Sequence, residues 1–131
     1  MSDLPQDLLY SEEHEWVRAN DDGTALIGIT DFAQEQLGDI VYLSLPKAQS
    51  AVTQFGRIGE VESVKSVSDL FSPVSGEVVE VNQEALDHPE RINEDPYGQG
   101  WLFKVRLGSA DELGKLLSAA QYEQFLAAQD H

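Results

Sequence analysis

The chain has 131 residues, with 8 lysines and arginines against 24 aspartates and glutamates, a formal net charge of −16. That length accommodates one domain with a core of useful size and leaves no room for a second. The acidity sets the chain against nucleic acid and anionic membrane surfaces, favours cationic partners, and by self-repulsion favours a soluble monomer.

Cysteine is absent, which excludes a disulfide framework, thiolate catalysis and thiolate metal sites. The start, Met1 to Pro5, has no basic region followed by an apolar stretch and no arginine-rich transit character. No apolar run approaches membrane-spanning length, so a cytoplasmic location is expected.

In chain order, a turn signal at Asp21-Asp22-Gly23 opens a β-branched strand over 24–29. Thr30 is placed to cap a short helix over 31–37, which Gly38 ends. A second strand over 40–45 stops at Pro46. The next stretch reads as a strand over 56–62, a connection around Lys65, Leu70-Phe71, a Pro73-Val74-Ser75-Gly76 turn and a strand over 77–82. Residues 83–100, which include Pro89, Pro96, Gly98 and Gly100, read as a loop long enough to cover or recognise something. Strict alternation over 101–107 predicts a strand with Trp101, Phe103, Val105 and Leu107 facing inward. Near the end, Ser109 with Glu112 and Ser118 with Gln121 form two capping boxes, each followed by leucines or aromatics, so two short helices are expected near 110–128. No tandem repeat, low-complexity stretch or flexible linker interrupts the chain.

Catalytic motifs are missing. His14, His88 and His131 have no ligand spacing, no Gly-x-Ser-x-Gly elbow surrounds a serine, and Gly56-Arg57-Ile58-Gly59 is too short for a phosphate loop. Carboxylates pair at Glu12, Glu13 and Glu15 and at Glu60 and Glu62, but in so acidic a chain most of them face water. Lys65 is different in its placement. It is one of four lysines and stands at a hairpin tip, where a lysine ordinarily only solubilises the surface but where a swinging cofactor arm can also be attached.

At Glu62-Ser63-Val64-Lys65 the chain resembles the attachment hairpin of the glycine cleavage system H proteins. The likeness continues through His14-Glu15-Trp16-Val17, Ile27-Gly28-Ile29-Thr30-Asp31, Gly38-Asp39-Ile40-Val41, Ser72-Pro73-Val74-Ser75-Gly76-Glu77, Ile92-Asn93 and Pro96-Tyr97-Gly98-Gln99-Gly100-Trp101. It spans the chain from about Tyr10 to the C-terminal helices. The resemblance implies a mainly β fold, the barrel-sandwich hybrid or lipoyl/biotinyl hammerhead, with one short helix in the N-terminal half and two short C-terminal helices. It implies a single lipoyl-carrier domain over 1–131 with its attachment hairpin near 60–70.

The same resemblance implies function. Lipoate would be carried in amide linkage on Lys65, and acylation removes the lysine's charge and adds a long apolar arm. The protein would be a carrier, not an enzyme, taking the aminomethyl group of glycine from the pyridoxal-phosphate-dependent P protein to the T protein. The L protein, a flavin dehydrogenase, would reoxidise the arm. The absence of cysteine suits a dithiol cargo, since no protein thiol can trap it by exchange. Glu15, and also Asp69, are expected to receive the charged end of the loaded arm, although Glu15 also fits a surface acid on an edge strand. Glu62 resembles the acid that lipoylating enzymes recognise. Ser66, Val67 and Phe71-Ser72 depart from the commonest pattern of the family, and Gln36 is a further polar position near the expected cleft.

Three related readings compete. A biotin carrier would flank its lysine with methionines, where this chain has Val64 and Ser66. A lipoyl module of a 2-oxo acid dehydrogenase would bring a linker and a catalytic domain and would lack the C-terminal helices. An H-like relay scaffold, which passes lipoyl or octanoyl groups to other proteins, is compatible with the residues.

Overall fold

The computed structural model describes residues 5–108 and 110–129, so the Ser109 and His131 positions fall outside the described residues. The elements are β1 Leu9–Tyr10, β2 Glu15–Ala19, β3 Thr24–Ile29, α1 Asp31–Leu37, β4 Ile40–Ser44, β5 Ala51–Val52, β6 Arg57–Ser63, β7 Val67–Phe71 and β8 Gly76–Val81. They continue with α2 Gln83–Asp87, α3 Glu90–Glu94, β9 Phe103–Leu107, a 3-10 helix Ala110–Lys115 and α4 Ala119–Gln129.

Two antiparallel sheets result. One has six strands in the order β1-β2-β3-β9-β8-β5, and the other three in the order β4-β6-β7. Apolar residues of both sheets meet in one core: Val17, Ile27 and Phe103 come from the larger sheet, and Leu43, Val61 and Leu70 from the smaller. This is the expected mainly β barrel-sandwich arrangement with short peripheral helices. A second, smaller cluster of Leu8, Tyr10, Trp16, Ala119 and Tyr122 lies beneath α4. The period-2 alternation of β2 feeds both clusters, since Val17 joins the main core while Trp16 joins the second.

Local chemistry fixes the helix ends. The Thr30 hydroxyl accepts from the Ala33 N–H at 3.2 Å and starts α1, and the Gly38 N–H closes it on the Gln34 carbonyl. At α4 the capping box forms reciprocally: the Gln121 N–H donates to the Ser118 hydroxyl at 3.2 Å, and the Ser118 N–H to the Gln121 side-chain oxygen at 2.9 Å.

The segment 83–100 is not the loop its composition predicts but carries α2 and α3. Each helix stops just before a proline: His88 and Asp95 leave the helical region, at φ −133°, ψ 74° and φ −151°, ψ 69°, because the following proline ring disfavours it. Ala85 and Ile92 anchor the two helices in the main core, and five residues are too few to display a 3.6-residue period. The Asn82 amide closes the excursion by donating to the Gln99 and Trp101 carbonyls at 2.8 and 2.7 Å.

Two other details differ. The first C-terminal helix is a 3-10 turn, and the Glu112 carboxylate binds the Ser75 N–H and hydroxyl, each at 2.7 Å. Trp101 precedes β9 and packs, half-buried, on the second cluster, so among the four expected inward residues only Phe103 and Val105 are fully buried.

Gly28 pairs with Trp16 across β2 and β3, and a Cβ on Gly28 would fall 2.5 Å from the indole. The indole N–H reaches the Pro96 carbonyl at 2.9 Å, so the ring cannot retreat freely. Gly28→Ala is expected to lower stability by about 1–3 kcal/mol through overpacking, read as a lower urea midpoint at unchanged m-value.

Candidate functional site

Lys65 is exposed at the connection between β6 and β7, two strands paired in register from Glu62↔Val67 to Arg57↔Phe71. Ser63, buried at the base, organises the turn. Its N–H donates to the Ser66 carbonyl at 2.8 Å, and its hydroxyl accepts from the N–H groups of Ser66 and Lys65 at 3.1 and 3.3 Å. The tip is tied to the body where the Val64 N–H donates to the Asp39 carbonyl at 3.0 Å.

The body beneath the tip is itself stapled. From α3, the Asn93 amide group donates to the Gly38 carbonyl at 2.8 Å and to the Gln34 side chain at 2.9 Å, and its oxygen accepts from the Ile40 N–H at 3.0 Å. One side chain therefore fixes the end of α1 and the start of β4. Gly38 has φ 80° and ψ −153°, a conformation open essentially to glycine alone. The Lys65 Cε lies 3.5 Å from where a Gly38 Cβ would stand, so the lysine stem rests against the α1 terminus.

Glu15 is not the surface acid that an edge strand would carry. Its strand, β2, is paired on both sides, and Glu15 shares the inward face of Val17, leaving it 2 % exposed at the rim between the sheets. Its carboxyl accepts from the Ser11 hydroxyl at 2.5 Å and, across the sandwich, from the Phe71 N–H of β7 at 3.4 Å. Burial outweighs both hydrogen bonds and pushes its pKa up to about 8. Ser11 and Phe71 also line an open cleft of about 340 Å³, together with Tyr10, Phe55, Leu117, Lys115, Glu12 and Glu13.

The other expected positions are dispersed. Asp69 is exposed on β7 and paired with the Arg57 guanidinium at 2.9 Å; it shares a face of that strand with Val67 and Phe71, opposite buried Leu70. Glu62 is exposed on β6, between Tyr42 of β4 and Val67 of β7. Gln36 is exposed, and it is Gln34 that meets Asn93. Sequence reasoning missed Ser63, Asn93, Ser11 and Phe55. A serine three residues before Ser66 in a short connection is a legible turn signal; the others gain their roles only through distant segments.

The sequence profile described as Glycine cleavage H-protein matches residues 8–129 of this chain. A glycine cleavage system H protein of Marinobacter nauticus is 55 % identical over 130 residues, covering 99 % of this chain and 100 % of that protein. One from Carboxydothermus hydrogenoformans is 52 % identical over 126 residues, with 96 % of each chain covered. The crystal structure of a glycine cleavage system H protein from Mycobacterium marinum superposes with a TM-score of 0.88 at 43 % identity, covering 95 % of this chain and 99 % of that one. The chain belongs to the glycine cleavage H-protein family.

Within this H-protein fold, His14 is a structural joint. It adopts φ 70°, and its Nδ1 lies 2.8 Å from the Tyr122 hydroxyl, which also meets the Thr30 hydroxyl at 2.8 Å. The joint fastens α4 to the strand that carries Glu15. Burial lowers the His14 pKa and so favours the neutral imidazole.

Two outcomes follow from the geometry. Asn93→Ala is expected to cost about 1–3 kcal/mol, because the Ile40 N–H and Gly38 carbonyl lose their partner, and to raise amide exchange at Ile40 and Val64 in hydrogen-exchange measurements. For Glu15, the unfolded carboxyl ionises near 4.5 and the folded one near 8, so its stabilisation is complete below the lower value and is lost as pH rises through the upper. Between pH 5 and pH 8, Glu15→Gln should therefore lose less stability than the parent in urea titrations; parallel losses would contradict the assignment.

Proposed function

We propose that this chain is the lipoyl carrier of the glycine cleavage system, a non-catalytic component holding lipoate in amide linkage on Lys65. It takes the aminomethyl group of glycine from the P protein to the T protein, is reoxidised by the L protein, and works in the cytoplasm. The observation that carries this reading is Lys65 itself: an exposed amine on a tied hairpin tip, in a chain of the H-protein family. No helix among the described residues is long and apolar enough to cross a membrane.

The residues suit such a group. Acylation removes the charge of Lys65, whose stem already rests on Gly38. Val67 and Phe71 share the face of β7 that runs from the tip towards the cleft, where Tyr10, Phe55 and Leu117 offer apolar walls. When bound, lipoate supplies a disulfide able to accept and release the one-carbon cargo.

The chain's own part is to hold, shield and balance charge. Ser63 and Asn93 orient the tip, and the cleft residues keep water from a labile cargo. Glu15, held largely protonated by burial, gives up its proton when a cationic cargo terminus arrives, because a nearby positive charge favours the carboxylate. Asp69, paired with Arg57, adds negative charge outside the cleft, and Glu62 stands near the tip where a lipoylating enzyme would read it.

The test is glycine-dependent loading of the lipoylated chain by P protein, followed by intact mass. The parent chain should gain the lipoyl increment and then the cargo. Lys65→Arg should gain neither while its stability changes by less than about 0.5 kcal/mol, as expected of an exposed position. A lipoylated parent that P protein and glycine leave unloaded would favour a relay of lipoyl groups instead, and modification persisting in Lys65→Arg would overturn the placement.

A further inference from the structure

Three described residues other than glycine take a positive φ, and Phe55, at φ 65°, is the one whose side chain is both large and apolar. It stands third in the turn Thr53 to Gly56, closed by the Gly56 N–H on the Thr53 carbonyl at 2.8 Å, a position where positive φ makes glycine the usual residue. The glycine of this turn falls one position later, at Gly56, so a bulky side chain bears the left-handed conformation. Such a conformation persists where its surroundings over-determine it, and here they do. The Phe55 N–H donates to the Ser72 carbonyl at 2.6 Å, and the Ser72 N–H to the Gly56 carbonyl at 3.0 Å. Next to it, the Gln54 N–H donates to the Ser75 hydroxyl at 2.8 Å, and the Gln54 amide group to the Pro73 and Glu112 carbonyls, each at 3.0 Å.

This fixed backbone does not serve core packing. The Phe55 side chain is exposed, at 49 %, and like Phe71 it belongs to neither apolar cluster. Both rings instead line the cleft, beside Tyr10 and Leu117. The face of β7 that carries Val67 and Phe71 leads there from the hairpin tip, and those four residue steps cover about 13 Å of strand. A lysine side chain lengthened by an eight-carbon acyl group bridges that span.

We infer that Phe55 is a positioning residue for the acyl arm of Lys65, its ring closing on the sulfur-bearing end while that end is still uncharged. The inference rests on the carrier reading of Lys65. A dithiolane is apolar and polarisable, so it gains by leaving water and by contact between sulfur and aromatic rings. Charge has no part in this step, because the oxidised arm carries none and offers Glu15 no cation. The unloaded arm therefore rests in the cleft between turnovers, and the left-handed turn residue aims the ring that keeps it there.

The experiment follows reduction of the lipoyl disulfide on the full lipoylated chain by an uncharged, water-soluble phosphine, read as free thiol formed with time. The phosphine attacks one sulfur, the S–S bond breaks, and water supplies the oxygen of the phosphine oxide and the two thiol protons. The chain has no cysteine, so every thiol comes from the arm. Because only the undocked fraction reacts, the parent should be reduced at least about threefold more slowly than free lipoamide. Phe55→Gly and Phe55→Ala should each react at least about threefold faster than the parent, while Phe55→Tyr keeps the parent rate. Phe55→Gly should nevertheless melt above Phe55→Ala, because only glycine relieves the left-handed backbone. If the ring merely braced the cleft wall, the reduction rate would follow stability, so a glycine variant that reacts more slowly than the alanine variant overturns the inference. A Phe55→Gly rate equal to that of the parent, or a parent as reactive as free lipoamide, overturns it too. A parent chain left unmodified at Lys65 overturns the carrier reading itself, and this inference with it.

Discussion

A hairpin that projects from a sandwich has little core of its own, so its tip stays in place only if something outside the strands holds it. Here that constraint is met by the pairing of β6 with β4, which reaches Ile40↔Ser63 beside the tip, and by the backbone hydrogen bond from the Val64 N–H to the Asp39 carbonyl. Gly38 allows α1 to turn abruptly into β4, and Asn93 satisfies the polar groups which that turn leaves open. Ser63 then shapes the connection from within. Lys65 is thus exposed on an anchored backbone, with its stem against Gly38.

The opposite end of β7 meets a different demand. Glu15 lies on the inward face of its strand, so the fold places a carboxyl where apolar residues belong and compensates with donors from Ser11 and Phe71. Buried carboxyls resist ionisation, and burial raises the pKa of this one to about 8. A carboxyl that stays neutral leaves no bare charge in the core. The same strand, β7, thus runs from the hairpin tip to the cleft lined by Phe71.

Much of this was legible in the residues. The strand over 24–29, the Thr30 cap, the end at Gly38 and the Ser118–Gln121 box follow from local chemistry and appear as expected. Local chemistry failed where tertiary packing decides. Residues 83–100 read as loop because Pro89 and Pro96 punctuate them, yet Ala85 and Ile92 dock two short helices on the core. Lys65 stood out by its hairpin, whereas the carboxyl of Glu15 meets a donor from the other sheet, the Phe71 N–H 56 residues away. In β4 the neighbours Val41 and Tyr42 both face outward through a one-residue register shift that no sequence pattern displays.

The account joins Lys65 and Glu15 through one arm, and the most direct measurement watches the carboxyl. With glutamate side-chain carboxyls labelled with carbon-13, the Glu15 resonance, assigned by its loss in Glu15→Gln, is titrated by NMR before and after the lipoylated chain is loaded by P protein and glycine. The account predicts a midpoint near about 8 in the unloaded chain and a clear fall on loading, as the cationic terminus draws the proton off. A midpoint near that of an ordinary carboxyl in the unloaded chain, or one that loading leaves unmoved, would contradict it.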